Sequence, residues 1–213
     1  MLVRSPRGPI TRLVMIAAAM GLFVVGYYWG NQYKYGDPMP PAIEGVLVRP
    51  PPELPGFELR DTEDQLFTAD GFDDHWTLLT FGDLSRAPGH LAVTRMIEVY
   101  NRLAHDPELQ AMLQLAFVAE YQDQALARDF GRLSPALKLL SGESSEIRRL
   151  SASLGASHKH ETGSAGDQEI TFFLIGPERR LLALFPGTQA PAAIALDLSA
   201  LAEHPEHLYP SND

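Results

Sequence analysis

Apolar and polar positions divide the chain into an uncharged block, a proline-rich stretch and a series of short elements. From Leu13 to Tyr33 the sequence LVMIAAAMGLFVVGYYWGNQY carries no charge. At about 1.5 Å per residue such a helix crosses a hydrocarbon core about 30 Å thick. Tyr27, Tyr28 and Trp29 stand at its far end, where amphipathic rings favour the headgroup layer, and Arg4, Arg7 and Arg12 precede it. Positive charge inside then puts the rest of the chain outside. A cleaved signal peptide is the alternative, with Ala17, Ala18 and Ala19 as small residues. The apolar run continues well past those alanines, which favours an uncleaved anchor. Next comes DPMPPAIEGVLVRPPPELP, residues 37–55, whose prolines fix φ and favour extended polyproline geometry, a semi-rigid spacer.

Beyond it, PGFELRD and QLFTADGF are two extended pieces around a polar turn at Asp61–Asp64, a hairpin pattern. Trp76–Phe81 (WTLLTF) is a compact apolar run followed by the breakers GDLSRAPG, which predicts a buried strand. From Pro88 onward Val93, Met96, Ile97, Tyr100 and Leu103 recur at helical spacing. Leu113–Ala119 is a second strand candidate, Gln124–Phe130 a short helical patch and Ala136–Leu140 another apolar run. Ile147, Leu150 and Leu154 mark a helix ended by Gly155. Ile170–Ile175 and Leu181–Phe185 flank a turn at Gly176–Arg179, a second hairpin, and Pro191 opens a last helix with Ile194, Leu198 and Leu201 inward. Strand, helix, strand, helix, hairpin, helix is an α/β order with a mixed sheet flanked by helices, a thioredoxin-like fold with an N-terminal β-hairpin, here preceded by one transmembrane helix. The domains are a cytoplasmic N-terminus at 1–12, the anchor at 13–33, a Pro-rich stalk at 34–54, the thioredoxin-like domain at 55–203 and a tail at 204–213.

Composition narrows the chemistry. Seventeen Lys plus Arg against 27 Asp plus Glu give a formal charge of -10, which repels a phosphate backbone, so nucleic acid is not an expected partner. The chain has no cysteine, which excludes disulfide exchange, thiolate nucleophiles, iron-sulfur ligation and Cys-based zinc or copper sites. The patterns GxSxG, HExxH, GxGxxG and a P-loop are missing. Acid pairs such as Asp73 with Asp74 and Glu120 with Asp123 fit the surface of any acidic protein, so no enzyme is expected. Met96 and Met112 fit core positions better than copper thioethers. Phe172 and Phe173, adjacent on one strand, are both buried if the sheet is covered on two sides. His204 and His207 fall near the C-terminus and carry no assigned role.

The stretch PGFELRDTEDQLFTADGFDDHWTLLTFGDLSRAPGHLAVT resembles the start of the Sco/SenC domain, with its LPxFxLxD hairpin and WTLLxFGYTxCPDVCP segment. FFLIGPERRLLALFPGTQAPAAIALDL is similar to the family's IYLIDPDGRxxAxF…PxxIAxDL ending, and LQLAFVAEYQD stands where the family has VFVSVDP. The resemblance covers about residues 45–202 and extends to the anchor and stalk. It implies a thioredoxin-like fold at the inner membrane, with the domain on the periplasmic or equivalent outer side. It also implies a part in assembling the copper centre of cytochrome c oxidase subunit II. Family members hold copper through the two cysteines of CxxxC and the histidine of a DHS motif. Residue by residue, these positions fall on Arg86, His90 and Gln168, with Asp167 before the last. Arg has no lone pair to give and a Gln amide is a poor ligand for Cu(I), so the usual copper site is expected to be absent. The resemblance then implies action by contact with subunit II or another oxidase assembly factor, through Arg86, His90, Asp167 and Gln168. The alternative is a copper or zinc carrier with a rebuilt site at His90, His158 and His160, since three imidazoles suit Cu(II) or Zn(II).

Overall fold

The computed structural model describes residues 9–32, 43–119, 124–156, 170–205 and 208. The chain divides into two units, Met1–Pro40 and Pro41–Asp213. The first holds helix α1, Pro9–Gln32, whose side chains from Met15 to Tyr27 are exposed. A helix thus stands where the anchor is expected, but among the described residues no helix is long and apolar enough to cross a membrane.

In the second unit the elements are β1 (Val46–Leu47), β2 (Leu59–Arg60), β3 (Leu66–Phe67), β4 (Trp76–Gly82), α2 (Ala87–Arg102), α3 (Pro107–Met112), β5 (Leu113–Ala119), α4 (Gln124–Gly131), β6 (Leu137–Leu140), α5 (Ser144–Ser153), β7 (Thr171–Ile175), β8 (Leu181–Pro186) and α6 (Pro191–Glu203). One sheet has the order β1-β8-β7-β4-β5-β6, while β2 and β3 form a separate hairpin. β4, β5 and β6 are parallel, and β7, β8 and β1 join antiparallel. β4 and β5 are interior strands because strands covered on both faces need apolar residues at nearly every position, and these two runs supply them.

The faces separate by alternation. Trp76, Leu78, Leu115, Phe117, Phe172 and Leu174 pack against Val93, Met96 and Val99 of α2 and Ile194, Leu198 and Leu201 of α6. Leu79, Ala116, Val118, Phe173 and Ile175 face Ile147 and Leu150 of α5 and the hairpin side chains Phe57, Leu59, Phe67 and Phe72. Phe172 and Phe173 are 0% and 2% exposed, as two covered faces require. Gly155 ends the turn after α5 with φ 72°, the left-handed geometry expected of it.

Three expectations need correction. The stretch read as stalk, 34–54, has its C-terminal part on the sheet: Val46 pairs with Leu184 and Leu47 with Ala183. Val48 N–H donates to the Leu182 carbonyl (2.9 Å) and Leu54 N–H to that of Arg179 (2.9 Å). Proline forbids only its own N–H bond, so a Pro-rich segment still fits an edge strand. Met112 is 45% exposed at the end of α3 and fills no core gap. Leu208, in the stretch read as a tail, is buried in the cluster that α2 and α6 share.

Candidate functional site at the end of strand β4

At Gly82 the chain leaves β4 and turns through Asp83–Arg86 into α2. Asp83 Oδ1 accepts from Ser85 N–H (2.8 Å) and Ser85 Oγ–H (2.6 Å), and Arg86 N–H donates to the Asp83 carbonyl (3.2 Å). Such a side-chain turn fixes a short polar loop without strand pairing. Pro88 lies in the first turn of α2, where its missing N–H leaves no helical bond unmade. Gly89 lets the loop lie against the helix: a Cβ there would stand 2.1 Å from the Asp83 carbonyl oxygen.

Arg86 is the N-cap of α2, with φ -116° and ψ 151°. Arg has no acceptor with which to cap the helix, so its side chain projects into solvent, and among the described residues its guanidinium has no partner. His90 sits one turn on, exposed, its backbone N–H on the Arg86 carbonyl (3.3 Å). Its Nε2 lies 2.6 Å from the Leu84 carbonyl, and its ring packs on Phe130 of α4 with centroids 5.0 Å apart. A carbonyl only accepts, so Nε2 carries the hydrogen, and in the neutral ring Nδ1 keeps the lone pair.

The fold therefore brings Arg86 and His90 together on one helical turn. His158, His160, Asp167 and Gln168 lie outside the described residues. The chain that follows them begins β7 at the same end of the sheet. Leu79 pairs with Phe173, Thr80 Oγ–H donates to the Thr171 carbonyl (2.8 Å), and the rings of Phe81 and Phe173 meet edge-on at 5.9 Å. As copper ligands the described pair does not fit: the guanidinium offers no lone pair, and the imidazole offers a single nitrogen where soft Cu(I) is held by thiolates. Among the described residues no three His, Asp or Glu side chains form a metal-holding group.

Sequence reasoning missed a polar groove at this end of the sheet, beside Ala119, which pairs with Gly82. One cavity of about 540 Å³ is lined by the hairpin residues Arg60–Asp64 with Ala119, Arg128 and Ser141–Glu143. A second, of about 460 Å³, shares Asp61, Thr62, Glu63 and Arg128 and runs along Leu137–Leu139. Arg60 pairs with Asp64 and Arg132 with Asp129. Arg128 lines both cavities, exposed, with no ion pair among the described residues. No local pattern announces the groove, because its walls meet only when the hairpin docks beside β6.

The SCO1/SenC family model matches residues 49–203. Comparison with curated proteins returns no match. Among solved structures, apo Sco1 from Thermus thermophilus aligns with a TM-score of 0.60 at 22% identity, covering 75% of this chain and 97% of that one. Arabidopsis thaliana ScoI with copper bound gives 0.57 at 14% identity, over 71% and 99%. Yeast Sco1 with copper bound gives 0.56 at 16% identity, over 75% and 96%. At such identities the likeness is one of fold: the same mixed sheet with helices, in the thioredoxin-like Sco arrangement. With the family match spanning most of its length, the chain belongs to the SCO1/SenC family.

Proposed function

We propose that this chain is a membrane-anchored SCO1/SenC protein that takes part in cytochrome c oxidase assembly by protein contact, not as an enzyme, and without thiol redox activity or the family's usual copper ligands. The observation that carries this is the end of β4. An exposed Arg86, whose side chain has no partner among the described residues, and a backbone-tethered His90 stand at the start of α2, where the resemblance puts the two cysteines. One matched structure, BsSco, is described as having a disulfide switch and as a member of a family of cytochrome c oxidase assembly proteins. A chain without cysteine has no such switch. Arg86 offers a planar fork suited to a partner carboxylate, on oxidase subunit II or on another assembly factor, with Asp167 and Gln168 as further contact candidates.

Supports for the anchor are the 24-residue helix Pro9–Gln32, its uncharged stretch from Leu13, and Arg4, Arg7 and Arg12 before it. A SCO1/SenC family lipoprotein from Bacillus anthracis is among the similar structures. The domain then lies on the outer, periplasmic side of the inner membrane. Affinity purification from native membranes tests the assembly role. Oxidase subunits should copurify with the wild type and be lost with Arg86→Glu; recovery of unrelated proteins alone would remove the role.

A second reading, a copper or zinc carrier using His90, His158 and His160, is favoured by one observation. With Nε2 held by the Leu84 carbonyl, His90 keeps its Nδ1 lone pair for a metal, at the end of the sheet to which the chain returns at Thr171. Titration with Cu(II) and Zn(II) against chelators decides it. One tight equivalent abolished by His90→Ala supports a carrier, and weak scattered binding rejects it.

A further inference from the structure

β6 is the last strand of the sheet, and among the described residues its outer side pairs at a single point. Leu115 N–H donates to the Ala136 carbonyl (2.9 Å), so the backbone groups of Lys138 and Leu140, in step with that carbonyl, turn toward β5. Those of Leu137, Leu139 and Ser141 alternate with them and turn outward. Ser141 meets Arg60 of the hairpin there, N–H to carbonyl in both directions (2.8 and 2.7 Å), as an antiparallel pair. If β2 ran straight on, Thr62 would pair with Leu139 next. The chain instead turns back: Asp61 N–H donates to the Gln65 carbonyl (3.1 Å), Asp64 N–H to that of Asp61 (3.2 Å), and Asp64 has φ 64°. Leu137 N–H returns to the Ser134 carbonyl (3.2 Å). The N–H and carbonyl of Leu139 are left without a partner among the described residues.

This edge lines the cavity of about 460 Å³, with the hairpin turn as one wall and α4 as the other. Side chains along β6 alternate between the walls. Lys138 Nζ lies 5.5 Å from the Phe67 ring centroid, on the hairpin side. Leu139 points to the α4 side, where a Cβ on Gly131 would stand 4.0 Å from its Cδ1. The cations Arg128, Arg132 and Lys138 and the acids Asp61 and Glu63 line the cavity, a positive balance in a chain of formal charge -10. Both acids are engaged within their own turn: Asp61 Oδ1 accepts from the N–H groups of Glu63 (2.8 Å) and Gln65 (2.9 Å), and Glu63 accepts from Gln65 Nε2 (3.0 Å). On α4, Arg132 is paired with Asp129 (3.5 Å), while Arg128 has neither an ion pair nor a hydrogen bond among the described residues. The α4 wall, to which Leu139 points, thus offers a free guanidinium.

We propose that the open edge of β6 receives an extended segment of a partner protein as an added antiparallel strand, with a carboxylate on the residue opposite Leu139 held by Arg128. Strand addition satisfies the backbone groups that the hairpin leaves open, and it does so for any sequence alike. Selectivity comes from the side chains. Directly opposed residues share a face, so the residue opposite Leu139 points to the α4 wall. A guanidinium there takes a carboxylate through two parallel bonds, stronger than a neutral pair. A wall on each side favours a single extended strand over a second copy of this domain, whose own edge is flanked by the same walls. The site is separate from Arg86 and stands whether or not the contact proposed there does.

Residue-resolved hydrogen exchange on the full-length protein in detergent tests the edge itself. The Leu139 amide should exchange at least about tenfold faster than those of Lys138 and Leu140, which bond to β5. Equal protection means that the edge is already paired and overturns the proposal, and so does protection that grows with protein concentration, which puts a second copy there. Capped peptides of alternating Val and Thr, with one Glu moved along the sequence, are the probe for the added strand. With Glu in the matching position the peptide should bind saturably and slow the Leu139 amide about tenfold. Lys in place of that Glu, or Arg128→Glu in the protein, should weaken binding at least about tenfold. Arg128 is exposed and unpaired, so the variant keeps its fold. N-methylation of the peptide residue opposite Leu139 removes the donor of the added strand and should abolish binding. Failure of every peptide to bind, binding indifferent to Arg128→Glu, or binding that survives N-methylation overturns the proposal.

Discussion

Gly89 and Arg86, three residues apart, answer to different constraints. At Gly89 a methyl group would drive into the Asp83 carbonyl, so the backbone itself must give way. Overpacking of this kind costs about 1–3 kcal/mol, and Gly89→Ala should lower unfolding free energy by that amount in urea titrations. The Arg86 side chain is exposed and makes no hydrogen bond or ion pair among the described residues, and its substitution by Ala should stay within about 0.5 kcal/mol in the same titration. A stable Arg86→Ala protein that has lost its partner separates recognition from folding at this loop. A large loss of stability would instead make Arg86 part of the scaffold. The apolar surroundings of His90 were not legible from its sequence neighbours, because Phe130 arrives from α4.

At the scale of elements, β4 and β5 were legible because continuous apolar runs leave little alternative to a strand buried on both faces. β1 was not. Its two residues are a strand only because β8 presents an edge to them, and the prolines beside it pointed to a spacer. α3 was also missed, although Asp106 accepts from Leu109 N–H (3.1 Å) and Pro107 follows it, a start signal present in the sequence. Gln114 was read only as part of an apolar run. Within β5 it donates from Nε2 to Thr77 Oγ on β4 (2.7 Å) and to the Gly71 carbonyl (2.9 Å), tying the turn Ala69–Phe72 to the sheet. Gln114→Ala leaves a buried hydroxyl and a carbonyl without this donor and should cost about 1–3 kcal/mol, measured by chemical denaturation. The side chain of Thr77 makes Thr77→Val the companion variant. If Gln114→Ala costs no less in the Thr77→Val background than alone, the Thr77 bond contributes nothing and the stabilisation lies in the Gly71 contact.

For the whole molecule, the residues expected to act sit on a scaffold that does not need the N-terminal segment. The unit Pro41–Asp213 contains both faces of the sheet and every helix that covers them, while α1 belongs to the other unit. Without cysteine, stability must come from that core rather than from cross-links. Removal of residues 1–40 should therefore leave the melting temperature within about 2 °C of the full chain, the shift expected of a change that touches no buried group in a domain of this size. The same deletion should abolish sedimentation with membranes and resistance to alkaline extraction, since the uncharged stretch from Leu13 goes with it. The two readouts are independent. A large fall in melting temperature would make α1 part of the folded domain, and membrane attachment surviving the deletion would place the anchor elsewhere in the chain. With both as expected, the tether serves to locate the domain, and whatever Arg86 recognises must come within its reach at the membrane.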